Sequence, residues 1–285
     1  MSINKSSKKF YLASILLLIS QCVVNQLAFA DNNDLAKVIK SEHRSQKNLA
    51  RDIYRHPLET LEFFDVQPTH SVVEIWPGAE GWYTEILAPY LREKGKLYAA
   101  FSNPDAEDSY QKKARTKFIA KLEANPTLYN QVVLTRFDPP EFIDIAPAES
   151  VDRVLTFRNA HNWYIDSGDK GVITAFSAFY RALKPGGILG IEEHRLPLSR
   201  SADDQKNSGY LHADYVIKMA EKAGFKLLAT SEINANPKDK ANYPQGVWTL
   251  PPSLRLGDTD REKYLAIGES DRMTLKFIKP VKAAK

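Results

Sequence analysis

Two short stretches carry the side chains best suited to chemistry. One is Arg158-Asn159-Ala160-His161-Asn162-Trp163, the other Glu192-Glu193-His194. The first follows Val151 to Phe157 and the second Ile188 to Ile191, stretches that read as the fourth and fifth strands. The end of a strand is easily left bland, so this density of hydrogen-bonding groups points to a site. Histidine titrates near neutrality and can take a proton from a hydroxyl or an amine. His161 is the first candidate for such a base and His194 the second. Arg158 and Asn162 stand where they would orient an acceptor, and Trp163 where it would wall one. A metal is not expected. The six histidines are far apart in sequence, none has His-Glu-x-x-His or Cys/His spacing, and neighbours on a strand such as Glu193 and His194 point to opposite faces. A serine-hydrolase elbow, Gly-x-Ser-x-Gly, is also missing.

Residues 71–91 supply the element these groups would work beside. Val72, Val73 and Ile75 form a short buried strand, Pro77-Gly78 stops it, and Ile86, Leu87, Tyr90 and Leu91 recur at helical spacing after a candidate N-cap, Thr84. Gly78 and Gly81 allow positive φ in the turn and let a ligand approach bare backbone. A second strand, 95–101, ends without the acid that ribose hydroxyls usually meet; Asp105 or the Asn103 amide is the substitute. A third strand closes on Asp138, before Pro139-Pro140. That acid suits either an exocyclic amino group or the chemistry of the turn itself. A helix through Ile173, Phe176, Phe179, Tyr180 and Leu183 leads to Pro185-Gly186-Gly187, read as a stop and turn, and then to the fifth strand. Residues 209–224 read as another helix. Strands after Gly224 and from Met273 close the chain, and the proline- and charge-rich excursion 234–272 lies between them as a lid or an edge cover. Ahead of it all, 31–70 is a helical lead-in broken at His56-Pro57. Its Arg51, Asp52, Arg55 and His56 are a solvated face unless the lead-in packs over the ligand crevice.

Residues 1–30 have the order of a secretory signal peptide: Lys5, Lys8 and Lys9, an apolar stretch from Tyr11 to Ile19, then Ala28-Phe29-Ala30. Cleavage after Ala30 would give a periplasmic protein with no stable membrane span and no cysteine, since Cys22 is the only one. Residues 31–285 suffice for one large α/β domain. The formal charge of +4, less the three leader lysines, becomes +1, and no dense basic stripe suggests nucleic acid.

The stretches YRHPLETLEFF, EIWPGAEGWYTEILAPYL, TFRNAHNW, LKPGGILGIEEHR, GVWTLPPSLR and IGESDRMTLKF run in order along nearly the whole mature chain. They resemble the class I S-adenosylmethionine-dependent methyltransferases, and more narrowly a group of exported bacterial "predicted methyltransferase" proteins. The resemblance implies a doubly wound, Rossmann-like sheet of seven strands whose last two form an antiparallel hairpin. It implies S-adenosylmethionine as cofactor, with Glu74, Gly78 and Gly81 at its methionine end and Asp138 near adenine. It also places acceptor-contacting residues after strand four, where His161 stands. The chain departs from the family's acid-x-Gly-x-Gly-x-Gly motif, because Glu74 is followed by Ile-Trp-Pro-Gly-Ala-Glu-Gly and Trp76 takes the place of the first glycine. The function expected is methyl transfer to an unidentified small-molecule or envelope acceptor. Since S-adenosylmethionine is not expected to be made in the periplasm, an exported, non-catalytic small-molecule-binding protein on the same fold is the alternative. A dinucleotide oxidoreductase is least supported, for want of Gly-x-Gly-x-x-Gly.

Overall fold

The computed structural model describes residues 34–102 and 110–281. The leader expected at 1–30 and the ribose-contact candidates Asn103 and Asp105 lie outside that range. Seven strands form one sheet: β1 Ser71–Ile75, β2 Lys96–Phe101, β3 Val133–Arg136, β4 Val151–Phe157, β5 Leu183–His194, β6 Lys226–Ser231 and β7 Arg272–Ile278. Their order is β3-β2-β1-β4-β5-β7-β6. β1 pairs in parallel with β2 and β4, β2 with β3, and β4 with β5, while β7 runs antiparallel between β5 and β6. This is the sheet and the terminal hairpin that the sequence implied. The strand order reverses between β1 and β4, which opens a crevice at their carboxyl ends.

Alternation along the strands builds two cores. Val73 and Ile75 of β1, Tyr98 and Ala100 of β2 and Val154 of β4 pack under the helices Ala160–Ala182 and Ala213–Lys222. Val72, Leu97, Ala99, Phe101 and Leu155 face the lead-in and the helices Thr84–Leu91 and Tyr110–Ala124. Burial on both faces is why β1 and β2 read as near-continuous apolar runs; in β4 Asp152 and Arg153 interrupt the run, and Arg153 is buried against the lead-in.

The lead-in is fastened to the sheet. Pro57 opens the helix Pro57–Phe63, at a position where its missing N–H is no loss. The Arg153 guanidinium of β4 donates to the Phe64 and Asp65 carbonyls at 3.0 and 2.9 Å and to the Asp65 carboxylate at 2.7 Å. Phe64 lies on Gly190 of β5, where a Cβ would come within 2.7–2.8 Å of the Phe64 ring and the Leu155 side chain. Gly190→Ala is expected to cost about 1–3 kcal/mol through overpacking. Urea unfolding at equilibrium checks this; an unchanged midpoint would show that the lead-in yields without cost.

Several local readings change. Thr84 is the first residue of its helix and its hydroxyl does not cap it, but turns down to Glu74 instead. The helical stretch Ala160–Ala182 is broken by a kink at Gly168, at φ 58°, and His161, Asn162 and Trp163 occupy the first turn of its first part. Pro185-Gly186-Gly187 does not stop the chain: β5 starts at Leu183, paired with Val151, and absorbs the irregularity as a register shift with Gly186 at φ 82°. The 234–272 excursion holds a 3-10 turn, Gly246–Thr249, and a helix, Arg261–Ile267, packed on a small core of Leu196, Tyr210, Ala241 and Val247. No helix among the described residues is long and apolar enough to cross a membrane.

Candidate functional site

The crevice begins at the end of β1. Glu74 is buried there, and its carboxylate accepts the Thr84 hydroxyl at 2.6 Å. Burial pushes its carboxyl up to about 7, against the opposing pull of Thr84, Arg158 and Lys121. A carboxyl so raised binds protons better folded than unfolded. Its contribution to stability is therefore complete below its ordinary 4.5 and is lost as pH rises toward 7, by about 3 kcal/mol. Glu74→Gln keeps an oxygen for Thr84 and removes the titration. Unfolding at pH 5 and pH 8 should show the variant gaining on the parent at the higher pH.

The turn after β1 is left-handed at Trp76, Gly78 and Gly81, with φ of 46, 74 and 54°. The two glycines have different reasons. A Cβ on Gly81 would strike the Phe118 ring at 2.8 Å, a packing constraint, whereas one on Gly78 would meet nothing within 4 Å, so its backbone faces open space. Trp76 holds the conformation that suits glycine, with its amide on the Ala100 carbonyl at 2.9 Å. Its indole N–H donates to the Phe137 carbonyl, beyond β3, at 2.7 Å. The indole thus crosses the end of β2. Asp138 follows Phe137, and its backbone makes both bonds to Phe142 that close the Pro139-Pro140 turn. Turn chemistry is thus part of its role, while its charge reaches Asp166 and adds to that carboxyl's upward shift from burial.

On the other side of the crevice the two candidate bases come together. The His161 and His194 rings lie 5.2 Å apart between centroids. His161 Nδ1 meets Glu193 Oε1 at 2.9 Å, and the His161 backbone N–H donates to Glu193 Oε2 at 3.2 Å. The His194 backbone N–H donates to Oε1 as well, at 2.8 Å. A carboxylate that accepts two backbone N–H groups is an acceptor on both oxygens, so Nδ1 of His161 carries the proton and Nε2 is left with the lone pair. His194 Nδ1 meets the Ser270 hydroxyl at 2.6 Å. Burial first, then the positive charges of His161, Arg158, Arg272 and Arg55, hold the His194 pKa well below its ordinary value. Trp248 stands against His161 at 5.9 Å and Tyr210 against His194 at 6.0 Å.

Glu193 is the functional residue that the reading of site residues left out. Its signal was its place beside a histidine at a strand's end, and the rule of alternating faces argued against using it. That rule fails here because β5 ends at His194 and the Glu193 side chain turns back onto the His194 amide. His161, Glu193 and His194 bring ligand atoms within 4.8 Å of one another, a donor set that suits zinc.

Trp163 is corrected: it is buried among Phe137, Phe176, Phe179 and Trp76, and Trp248 of the excursion supplies the aromatic wall instead. Asn162 stays half-buried in the first helical turn. Arg158, at φ 62°, is drawn into a charge network, donating to Glu192 Oε1 at 2.5 Å. Glu192 also takes Arg272 at 2.9 Å and the Tyr83 hydroxyl at 3.1 Å. Glu269, from the excursion, takes Arg51 at 2.6 Å and Arg55 at 3.3 Å. The lead-in's arginines therefore do reach the crevice.

No protein-family model and no curated protein matches the chain. Solved structures do. An S-adenosylmethionine-dependent methyltransferase from Aquifex aeolicus is similar over 86% of this chain and 98% of its own, at 15% identity and a TM-score of 0.54. The fold is that of the class I methyltransferases. The cyclase SpnF is similar over 80% of each chain, at 16% identity and a TM-score of 0.52. At these identities the likeness is one of fold, and the second structure, by its name a cyclase, shows that a class I methyltransferase fold is compatible with other chemistry.

The crevice suits S-adenosylmethionine at one end. Gly78 offers open, left-handed backbone where a methionine moiety can approach, above the buried Glu74. Beside that turn the Trp76 indole lies over the end of β2, bonded to the Phe137 carbonyl.

Proposed function

We propose that the protein is an exported S-adenosylmethionine-dependent methyltransferase acting on a small-molecule acceptor that His161 deprotonates. The observation that carries this reading is the Glu193–His161 pair, set at the carboxyl ends of β5 and β4 beside the crevice and covered by Trp248. Gly78, with Glu74 and Asp138, would hold the cofactor, while Gly81 serves the packing of the turn on Phe118. When bound, S-adenosylmethionine supplies a methyl group on a sulfonium, open to in-line displacement. The protein's own tasks are alignment, exclusion of water and removal of one proton. Glu193 fixes the imidazole by Nδ1, and Nε2 accepts the proton from an acceptor hydroxyl or amine as it becomes a nucleophile. The imidazolium that results is stabilised by the Glu193 carboxylate, the same division of labour as a carboxylate-oriented histidine in acyl transfer. His194, held neutral and tied to Ser270, helps to shape the acceptor's side of the site.

Export rests on the 1–30 segment and is tested by the N-terminal sequence of protein from an osmotic-shock fraction. Asp31 as first residue supports it, and Met1 in the cytoplasm refutes it.

One observation favours the second reading, a non-catalytic binding protein. Trp76 spans the end of β2 where the family motif has a glycine. Calorimetric titration of residues 31–285 with S-adenosylmethionine and S-adenosylhomocysteine separates the two. Saturable one-to-one binding supports the methyltransferase. No heat and no thermal shift with either compound would favour the binding protein.

A further inference from the structure

We propose that Arg55 and Arg158 together form a pocket for an anionic group, a carboxylate or phosphate, on the small molecule this site takes. The inference rests on the reading of the crevice as a small-molecule site and names the chemical class of its occupant.

Four guanidiniums, from Arg51, Arg55, Arg158 and Arg272, converge on two carboxylates. Glu269 serves Arg51, Arg55 and Arg272; Glu192 serves Arg158 and Arg272. Glu193 nearby is already committed to His161 and two backbone amides. Guanidinium does not give up its proton in a protein, so the excess positive charge stays. Buried charge without a counter-charge is costly, and a cluster with this excess has a place for an anion.

The excess sits between Arg55 and Arg158. They bind different carboxylates, and among the described residues no acceptor meets the terminal nitrogens of Arg55 or Nη2 of Arg158. Arg272 binds both carboxylates and so brings Arg55 and Arg158 into one cluster; burial and then Arg158 push the Arg55 pKa down, while Glu192 and Glu269 hold that of Arg158 up. Both groups are held in place. Arg55 lies over the Trp82 ring at 4.8 Å, and Arg158 is fixed by its left-handed backbone and its bond to Glu192. Two planar forks of this kind match the geometry of a carboxylate or a phosphate. The niche meets solvent, since the side chains of Arg158 and Arg51 keep 16% and 19% of their exposure. It also lies beside the bases, because Arg158 binds Glu192, which directly precedes Glu193 and His194 in β5. An acceptor held there by its anionic end would present its other end to His161.

The test is thermal shift and calorimetry of the 31–285 protein with inorganic phosphate and with succinate, against chloride at equal ionic strength, without cofactor. One-to-one binding is expected, weakened about tenfold in Arg158→Lys, which keeps the charge and loses the fork, and abolished in Arg55→Gln. Arg200→Gln, on the surface, should bind as the parent does. Equal binding by the parent and both site variants would overturn the pocket. So would competition by S-adenosylmethionine, which would assign the site to the cofactor's own carboxylate. Anion binding without any S-adenosylmethionine binding would leave the pocket standing and remove only the methyltransferase.

Discussion

His161→Ala should lower turnover by about 10²–10⁴-fold, the usual worth of a positioned general base, and leave cofactor affinity within about twofold. The split follows from geometry. His161 stands on the β4–β5 side of the crevice with Glu193 and Trp248, away from the Gly78 turn that would hold the cofactor. Removal of the ring also leaves Glu193 with its two backbone donors, so the carboxylate is not stranded. Single-turnover rates with a labelled methyl donor, beside calorimetry with S-adenosylhomocysteine, read the two quantities separately. A His161→Ala protein with full activity would remove His161 from the mechanism. Glu193→Gln should fall in the same direction by a smaller factor, because the amide can still accept from Nδ1–H but no longer stabilises the imidazolium.

Glu269→Gln should destabilise the protein by about 3–5 kcal/mol at neutral pH, the cost of breaking a buried ion pair from one side. Without the carboxylate, Arg51 and Arg55 lose their ionic partner and Arg272 keeps only Glu192. Burial alone would raise the Glu269 carboxyl, but Arg55, Arg272 and Arg51 hold it at about 2, below its ordinary 4.5. A depressed carboxyl contributes stability that is complete above about 4.5 and disappears as pH falls toward 2, in all about 3 kcal/mol. The gap between parent and variant should therefore be constant from pH 5 to 8 and narrow below pH 4.5. Denaturant unfolding across that range measures it. A gap unchanged at pH 3 would mean that shape and not charge makes Glu269 important. Glu74 slopes in the opposite sense, losing stability upward from 4.5 to 7, so the two carboxyls place the protein's best stability between their windows.

Strands were legible because both faces of β1, β2 and β4 are covered, which forces apolar residues such as Val72-Val73 and Val154-Leu155 next to one another. The stop after Gly78 was legible because positive φ is a local demand on the residue itself. Trp163 was misplaced because an aromatic residue beside a polar cluster looks the same whether it faces a ligand or the core. Only the start of the helix at Ala160 turned it inward. The role of Trp248 had no local signal, since its partner His161 is 87 residues away and the excursion had to fold back to bring them together.

Sequence by itself determined the strand–turn–helix start, the order of the strands' apolar runs, the left-handed turn and the pair of histidines at two strand ends. Each is a property of a few adjacent residues, where period, propensity and backbone freedom act locally. Tertiary structure alone decided that Glu193 orients His161, that Trp76 crosses the end of β2, and that Arg51 and Arg55 of the lead-in share Glu269 with Arg272. Those are pairings between distant segments. Charge and hydrogen bonding act through space over a few ångströms, and the sheet's crossover between β1 and β4 is what brings these residues within reach.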